Sequence, residues 1–337
     1  MYINYMSNNF SFILKGVNKL ENFNKSKIEI TNKENMLESL EKAAIIHKKV
    51  RSDIQSMIQP GLKLSNLERA VTKRIKHYTN NNGINGGIAF PPSLSISNCV
   101  AHFTPYKSLD KTLNINDNIK IDIGVHVNGW MIDSAFTCYF DPNLDILHQA
   151  AKEATNHGCK TIAKEMYIND WSSEINEIIE SYEINYMKQL YTIKNIKGVS
   201  GHNILQNTIH GGKMVPAYKI LDNFGKRFNE GIYAVEPFCS IISDKIINNY
   251  QETTNFKLSK NNNNIFSNNI FDKFNNYIFT RKHIDDYSLE NSFNNIKTKL
   301  VKYPSIYSSN KNDLSAQYEH TVYLYDKKII LSKDKDY

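Results

Sequence analysis

Asp122 and Asp133 flank the dipeptide Asn128-Gly129 in the run KIDIGVHVNGWMIDSAF, a spacing at which two carboxylates can share a cation. Ile119, Ile121, Ile123, Val125 and Val127 alternate with Lys120, Asp122, Gly124 and His126, the period-2 pattern of a strand. Asn-Gly is the preferred two-residue hairpin turn. A tight turn predicts that Asp122 faces Ala135 and Asp133 faces Gly124, leaving the two carboxylates diagonal on one face. Diagonal neighbours across a hairpin lie roughly 7–8 Å apart at the backbone, within reach of a common ion. Like charges so placed repel unless a positive partner compensates them, and the simplest partner is a metal. Taken alone, one aspartate reads equally well as a solvated strand residue and the other as the end of a turn.

Further donors stand in similar settings. His202 lies in GVSGHNI, Glu236 in GIYAVEPF and Glu319 in SAQYEHTVYLY. Each glutamate interrupts a β-branched and aromatic run, where an unpaired charge is costly. Two aspartates, two glutamates and one histidine form an oxygen-rich set, suited to divalent ions of the Mn, Fe or Co class more than to a thiolate-bound structural zinc.

The elements that must position these donors come from a chain of 337 residues, long enough for one large domain or two small ones. No run of 18 apolar residues suggests a membrane span, and MYINYMSNNFSFILKG lacks the features of a secretory signal, so a cytoplasmic protein is expected. Cys99, Cys138, Cys159 and Cys239 form no C-x-x-C pair and read as free thiols. The formal charge of +7 comes from scattered lysines, and the clusters HKKVR (47 to 51) and TKRIKH (72 to 77) read as solvated helix faces rather than a nucleic-acid interface.

Thr31 followed by Glu34 fits a capping box for a helix running toward Pro60-Gly61, and Ser65 followed by Glu68 fits a second. Strands dominate from residue 84. Helices are expected near 144 to 166 and over 170 to 181, then a strand pair between 182 and 196. Asn-rich low complexity marks 258 to 270, and 271 to 302 reads as two or three short helices splitting the Glu236 strand from the Glu319 strand, like an insertion. The order implies an α+β fold with an antiparallel sheet. The Gly pairs at 86 to 87 and 211 to 212 match no phosphate loop, and no Gly-x-Ser-x-Gly elbow supports a serine hydrolase.

GIAFPPSLSISNCVAHFTP, KIDIGVHVNGWMIDSAFT, GHNILQNTIHGGKMVP, YAVEPF, AQYEHTVYL and the final Tyr337 together resemble the signature segments of the methionine aminopeptidases, and specifically type 2. The match runs in order from about residue 35. The resemblance implies the pita-bread fold: a curved antiparallel sheet flanked by helices, a lead over 1–34, a catalytic domain over 35–337 and a type 2 helical insertion over 256–302. It implies that Asp122, Asp133, His202, Glu236 and Glu319 hold two divalent ions (Mn, Fe, Co or Zn), with Asp133 and Glu319 bridging. It makes His102 the catalytic histidine, also the residue that fumagillin-type epoxides attack in such enzymes, and His210 a second one that contacts the substrate carbonyl. Phe90, Ile209 and Tyr303, with His102 and His210, would surround the substrate. In isolation, each histidine reads as a core imidazole and the apolar residues as ordinary packing.

The activity so implied is removal of the initiator methionine from nascent polypeptide N-termini when the second residue is small. A monomer acting without membrane or nucleic-acid contact is expected. Ribosome association is compatible with that substrate, though the long polybasic extension of the eukaryotic type is not seen. Two departures leave side-chain preference and inhibitor affinity open: Asn255 stands where a pocket histidine is usual, and Ser200 where an asparagine is usual. The alternatives are a catalytically inactive pita-bread binding protein and an Xaa-Pro peptidase.

Overall fold

The computed structural model describes residues 32–80, 85–259 and 265–337. Residues 32–55 are helical and bury Leu40, Ala43, Ala44, His47, Val50, Arg51 and Ile54, one stripe at three- and four-residue spacing. His47 and Arg51 therefore point into the core, against the expectation that HKKVR is a solvated face. The capping box at Thr31 lies outside the described residues. A second helix, Leu64–Tyr78, ends ahead of Asn80 as predicted. Its predicted capping box does not form, because Asp110 takes the Ser65 donors, accepting from the backbone N–H at 2.9 Å and the hydroxyl at 2.6 Å. Glu68 is buried instead and accepts from Thr72 at 2.9 Å.

Strands Gly86–Ile96, Asn118–Val127 and Trp130–Tyr139 form one antiparallel sheet. Register shifts on either side of Phe90 break the first strand at Pro91-Pro92, where ladder N–H groups are missing. A five-stranded sheet orders Lys328–Ile330, His320–Leu324, Gly231–Val235, Gly201–Ile204 and Met214–Val215, and a smaller one joins Ser315–Gln317, Phe238–Ser240 and Lys194–Asn195. Every strand pair described is antiparallel, as the α+β reading requires. The two larger layers meet where Thr321 Oγ1 accepts from Asp133 N–H at 2.8 Å and donates to its carbonyl at 2.6 Å.

Helices Asp145–Thr161 and Ile168–Glu180 cover the outside of these sheets. The first follows an Asp141 side chain that accepts from Asn143 N–H at 2.9 Å, as the Asp-Pro signal suggests. None of the described helices is long and apolar enough to cross a membrane. The four cysteines are unpaired.

The segment between the Glu236 and Glu319 strands is not helical alone. Asn255–Leu258 pairs with both Phe279–Thr280 and Leu300–Tyr303, and helices Ile265–Phe274 and Tyr287–Ile296 pack on this small sheet. It has its own core of Phe256, Leu258, Ile270, Phe279, Leu289, Phe293, Ile296 and Leu300. The 3.6-residue periodicity hides the strands because Phe279–Thr280 is too short to show an alternation.

Candidate metal centre

The hairpin closes in the predicted register, with Asp122 opposite Ala135 and Gly124 opposite Asp133. Asn128 and Gly129 take φ of 51° and 79°, the left-handed values that a two-residue primed turn demands. Glu319 follows Ser315–Gln317 and precedes His320–Leu324; its N–H donates to Ala135 O at 2.9 Å, which lays it beside the Asp133 strand. Glu236 sits between ladders that pair Val235 with His320 and Phe238 with Gln317, so both registers put it across from Glu319. His202 arrives from the neighbouring strand, where it pairs with Ala234.

These five side chains converge. Asp122, Asp133 and Glu319 each offer an oxygen within 4.8 Å of the others. His202 Nε2 lies 3.5 Å from Asp133 Oδ2 and 3.4 Å from Glu236 Oε1. Two donors bound roughly 2.1 Å from one ion stand about 3.0–3.4 Å apart at octahedral or tetrahedral angles, so the His202 separations suit a shared coordination sphere. The donors are buried: Asp133, Glu319 and His202 are only 4%, 1% and 8% exposed. Asp122 Oδ1, Asp133 Oδ1 and Glu319 Oε1 are buried and receive no hydrogen bond from the described residues. Burial, and then repulsion from Asp133, pushes the carboxyls of Asp122, Glu236 and Glu319 well above the usual carboxylate range. No Lys or Arg lines the cavity among the described residues. Buried carboxylate oxygens with no hydrogen-bond partner and no Lys or Arg beside them fit a divalent metal.

The cavity holds about 200 Å³ and is bordered by His102, Phe90, Ile209, His210 and Tyr303 as well as by ligand-type residues, so every residue expected at the substrate is at this site. His102 leaves strand Cys99–Ala101 in a left-handed conformation, φ 67°, rare for a residue with a Cβ. Its carbonyl accepts from Asn255 Nδ2 at 3.2 Å, and the same amide reaches Thr104 Oγ1 at 3.0 Å, which donates to Pro92 O at 3.0 Å. Asn255 thus ties the His102 turn to the strand break beside Phe90. Burial holds the His102 imidazole below its ordinary pKa, so the ring is neutral near pH 7. His210 is exposed at the mouth, its ring perpendicular to that of His202 at 4.5 Å and roughly parallel to that of Tyr303 at 5.7 Å. Phe90 covers Gly124, where any Cβ would lie 2.3 Å from its ring. Ser200 donates to Gly201 O at 2.6 Å and accepts from Val215 N–H at 3.1 Å.

Gln317 is a residue that the sequence reading missed. Its amide reaches both Glu236 Oε2 and Glu319 Oε2 at 3.3 Å, holding the two glutamates side by side. The available signal is strand alternation, which turns residue 317 to the same face as 319. Ile278, contributed by the insertion, and Ile306 also border the cavity.

Metallopeptidase family M24 matches residues 38–326. Methionine aminopeptidase 2 of Komagataella phaffii is 34% identical over 324 residues, covering 90% of this chain and 71% of that protein. Two solved structures share the fold. A methionine aminopeptidase from Thermotoga maritima has a TM-score of 0.62 at 17% identity, covering 89% of this chain and 97% of its own. A thermophilic Arx1 has a TM-score of 0.72 at 16% identity, covering 90% and 92%. These neighbours extend to prolidases and share the pita-bread architecture expected from the sequence. M24 metallopeptidases use divalent metals, and the carboxylate cluster is a donor set of that kind. The chain belongs to metallopeptidase family M24, as a metallo-aminopeptidase of the methionine aminopeptidase 2 type.

Proposed function

We propose that this chain removes the initiator methionine from nascent polypeptides by hydrolysing the first peptide bond, with a preference for a small second residue. The observation that carries the reading is the convergence of Asp122, Asp133, His202, Glu236 and Glu319 beside two histidines in one buried cavity. Asp133 and Glu319 would be shared by two ions and the other three would complete the ligand set. Two divalent ions of the Mn, Fe, Co or Zn class supply Lewis acidity at the scissile carbonyl and make water at the site more acidic.

The protein's own groups do the rest. Glu236 or a neighbouring carboxylate accepts the proton of the attacking water. His102, neutral through burial, hydrogen-bonds the scissile amide and assists departure of its nitrogen. His210 at the mouth stabilises negative charge on the carbonyl oxygen. Phe90, Ile209 and Tyr303 enclose the methionine side chain, and Phe90 can lie flat over the hairpin only because residue 124 is glycine. We assign the work to the cytoplasm and to a monomer, acting on chain N-termini at or near the ribosome. The similarity to methionine aminopeptidase 2 supports a nascent-chain substrate.

The test is release of methionine from Met-Ala-Ser, run across several metals beside an Xaa-Pro substrate. Methionine release in at least one metal form, with the Xaa-Pro peptide untouched, is expected. His102→Ala is expected to lower turnover by orders of magnitude at unchanged metal content. Absence of release with every metal would point to an inactive binding protein, and cleavage of the Xaa-Pro peptide alone to a prolidase-like activity.

A further inference from the structure

Ser134 follows Asp133 on the hairpin, so strand alternation turns its side chain to the face opposite the carboxylate cluster. A line of buried polar groups begins there. Ser134 Oγ donates to the carbonyl of Glu319 at 2.6 Å. The same Oγ shares a 3.0 Å hydrogen bond with the Tyr337 hydroxyl, in which either group can donate, and that hydroxyl also reaches the Glu319 carbonyl at 3.5 Å. That hydroxyl in turn accepts from Arg51 Nη1 at 3.2 Å. Arg51 is 1% exposed, its fork held by Asp336 at 2.7 Å through both Nε and Nη2, and its remaining donor shared with Ser332 O at 3.0 Å. Arg51 can only donate and the Glu319 carbonyl can only accept, so the line runs from a fixed cation to the backbone of Glu319. Hydrogen bonds aligned head to tail polarise one another, and a charged donor at the head strengthens the whole line.

The Tyr337 ring is wedged among the residues next to the ligands. His320 stacks on it at 4.7 Å with an interplanar angle of 11°, Tyr318 meets it edge-on at 5.2 Å, and the Arg51 guanidinium lies 4.5 Å from its centroid. Tyr318 and His320 bracket Glu319 in the chain. We propose that Tyr337 is a positioning residue for the metal centre: its hydroxyl, oriented by Arg51, sets the separation of the strands carrying Asp133 and Glu319. This rests on the metal-centre reading above. The backbone bond from Glu319 to Ala135 and the Thr321 bonds to Asp133 also join these strands, so loss of the hydroxyl loosens the geometry without abolishing it.

The test uses the full chain stripped of metal. Co²⁺ is titrated calorimetrically into wild type, Tyr337→Phe, Ser134→Ala and a control, Trp171→Phe, and thermal midpoints are recorded in EDTA. Trp171 donates a buried hydrogen bond to Gly158 O at 3.0 Å, so its loss destabilises the fold away from the cluster. Tyr337→Phe and Ser134→Ala are expected to raise the Co²⁺ dissociation constant about tenfold, the scale seen when an outer-shell partner of a metal ligand is removed. Trp171→Phe is expected to bind Co²⁺ like wild type despite a lower midpoint. If both variants bind Co²⁺ within about twofold of wild type, whatever their midpoints, Tyr337 is a packing residue only and the proposal is overturned. Should Tyr337→Phe fail to fold, Ser134→Ala decides on the same criterion. Wild-type protein that takes up no Co²⁺ overturns the metal-centre reading itself, an outcome visible without any variant.

Discussion

Replacing Glu319 by glutamine is expected to stabilise the metal-free protein and destabilise the metal-loaded one. Asp122, Asp133 and Glu319 bring oxygens within 4.8 Å of each other. Two full charges at that distance, with an effective dielectric constant near 20, repel by roughly 3.5 kcal/mol. The raised pKa of Asp122 and Glu319 means that bound protons already relieve part of this repulsion. The glutamine is therefore expected to recover about 1–3 kcal/mol in EDTA at pH 7.5, an upward shift of a few degrees in the thermal midpoint. It keeps the size of the side chain and an acceptor for Gln317, so packing should not mask the effect. In Mn²⁺ the order inverts. Wild type gains about 2.7 kcal/mol at a hundredfold excess over its dissociation constant, a gain that the variant, short of a shared ligand, largely forfeits. The assay is a pair of melting curves for each protein, one in EDTA and one in saturating Mn²⁺. A variant that melts below wild type in EDTA would refute the premise that these carboxylates are held together against their own repulsion.

Two further outcomes follow from the structure. Gly124→Ala drives a Cβ to 2.3 Å from the Phe90 ring, which must swing toward the cavity; a loss of about 1–3 kcal/mol in stability and a raised KM for Met-Ala-Ser are expected, and an unchanged KM would remove Phe90 from the methionine pocket. Buried His148 is stacked on Tyr139 at 3.7 Å with neither ring nitrogen bonded, and burial pushes its pKa down to about 3, so the unfolded chain binds the proton more tightly. Stability from this neutral ring is present above pH 6.5 and lost as pH falls toward 3, amounting to about 2 kcal/mol by pH 5; urea midpoints at pH 7 and pH 5 should differ less in His148→Leu than in wild type, and equal differences would contradict this.

What could be read in the sequence was what local chemistry decides. The alternation from Ile119 to Val127 and the Asn128-Gly129 turn specify the hairpin register without reference to the rest of the chain, so the diagonal placement of Asp122 and Asp133 follows from them. Glu236, Glu319 and His202 were legible as charges in the wrong company, a sign that each must find a partner. What escaped depends on distant residues. Ser65 does not cap its helix because Asp110, far along the chain, binds it more fully. Arg51 in HKKVR looked solvated because its partners, Asp336 and Tyr337, lie at the other end of the sequence. Gln317 carries no charge to stand out from its strand, and the strands of the insertion are too short to show a period.

Whether the five donors hold two ions together is tested most directly by anomalous diffraction from crystals grown in Mn²⁺. Two peaks are expected in the cavity, with Asp133 and Glu319 touching both, Asp122 bound to one, and His202 and Glu236 bound to the other or beside it. A map with no peak in the cavity, or with Glu319 and His202 outside the coordination shells, would contradict that arrangement.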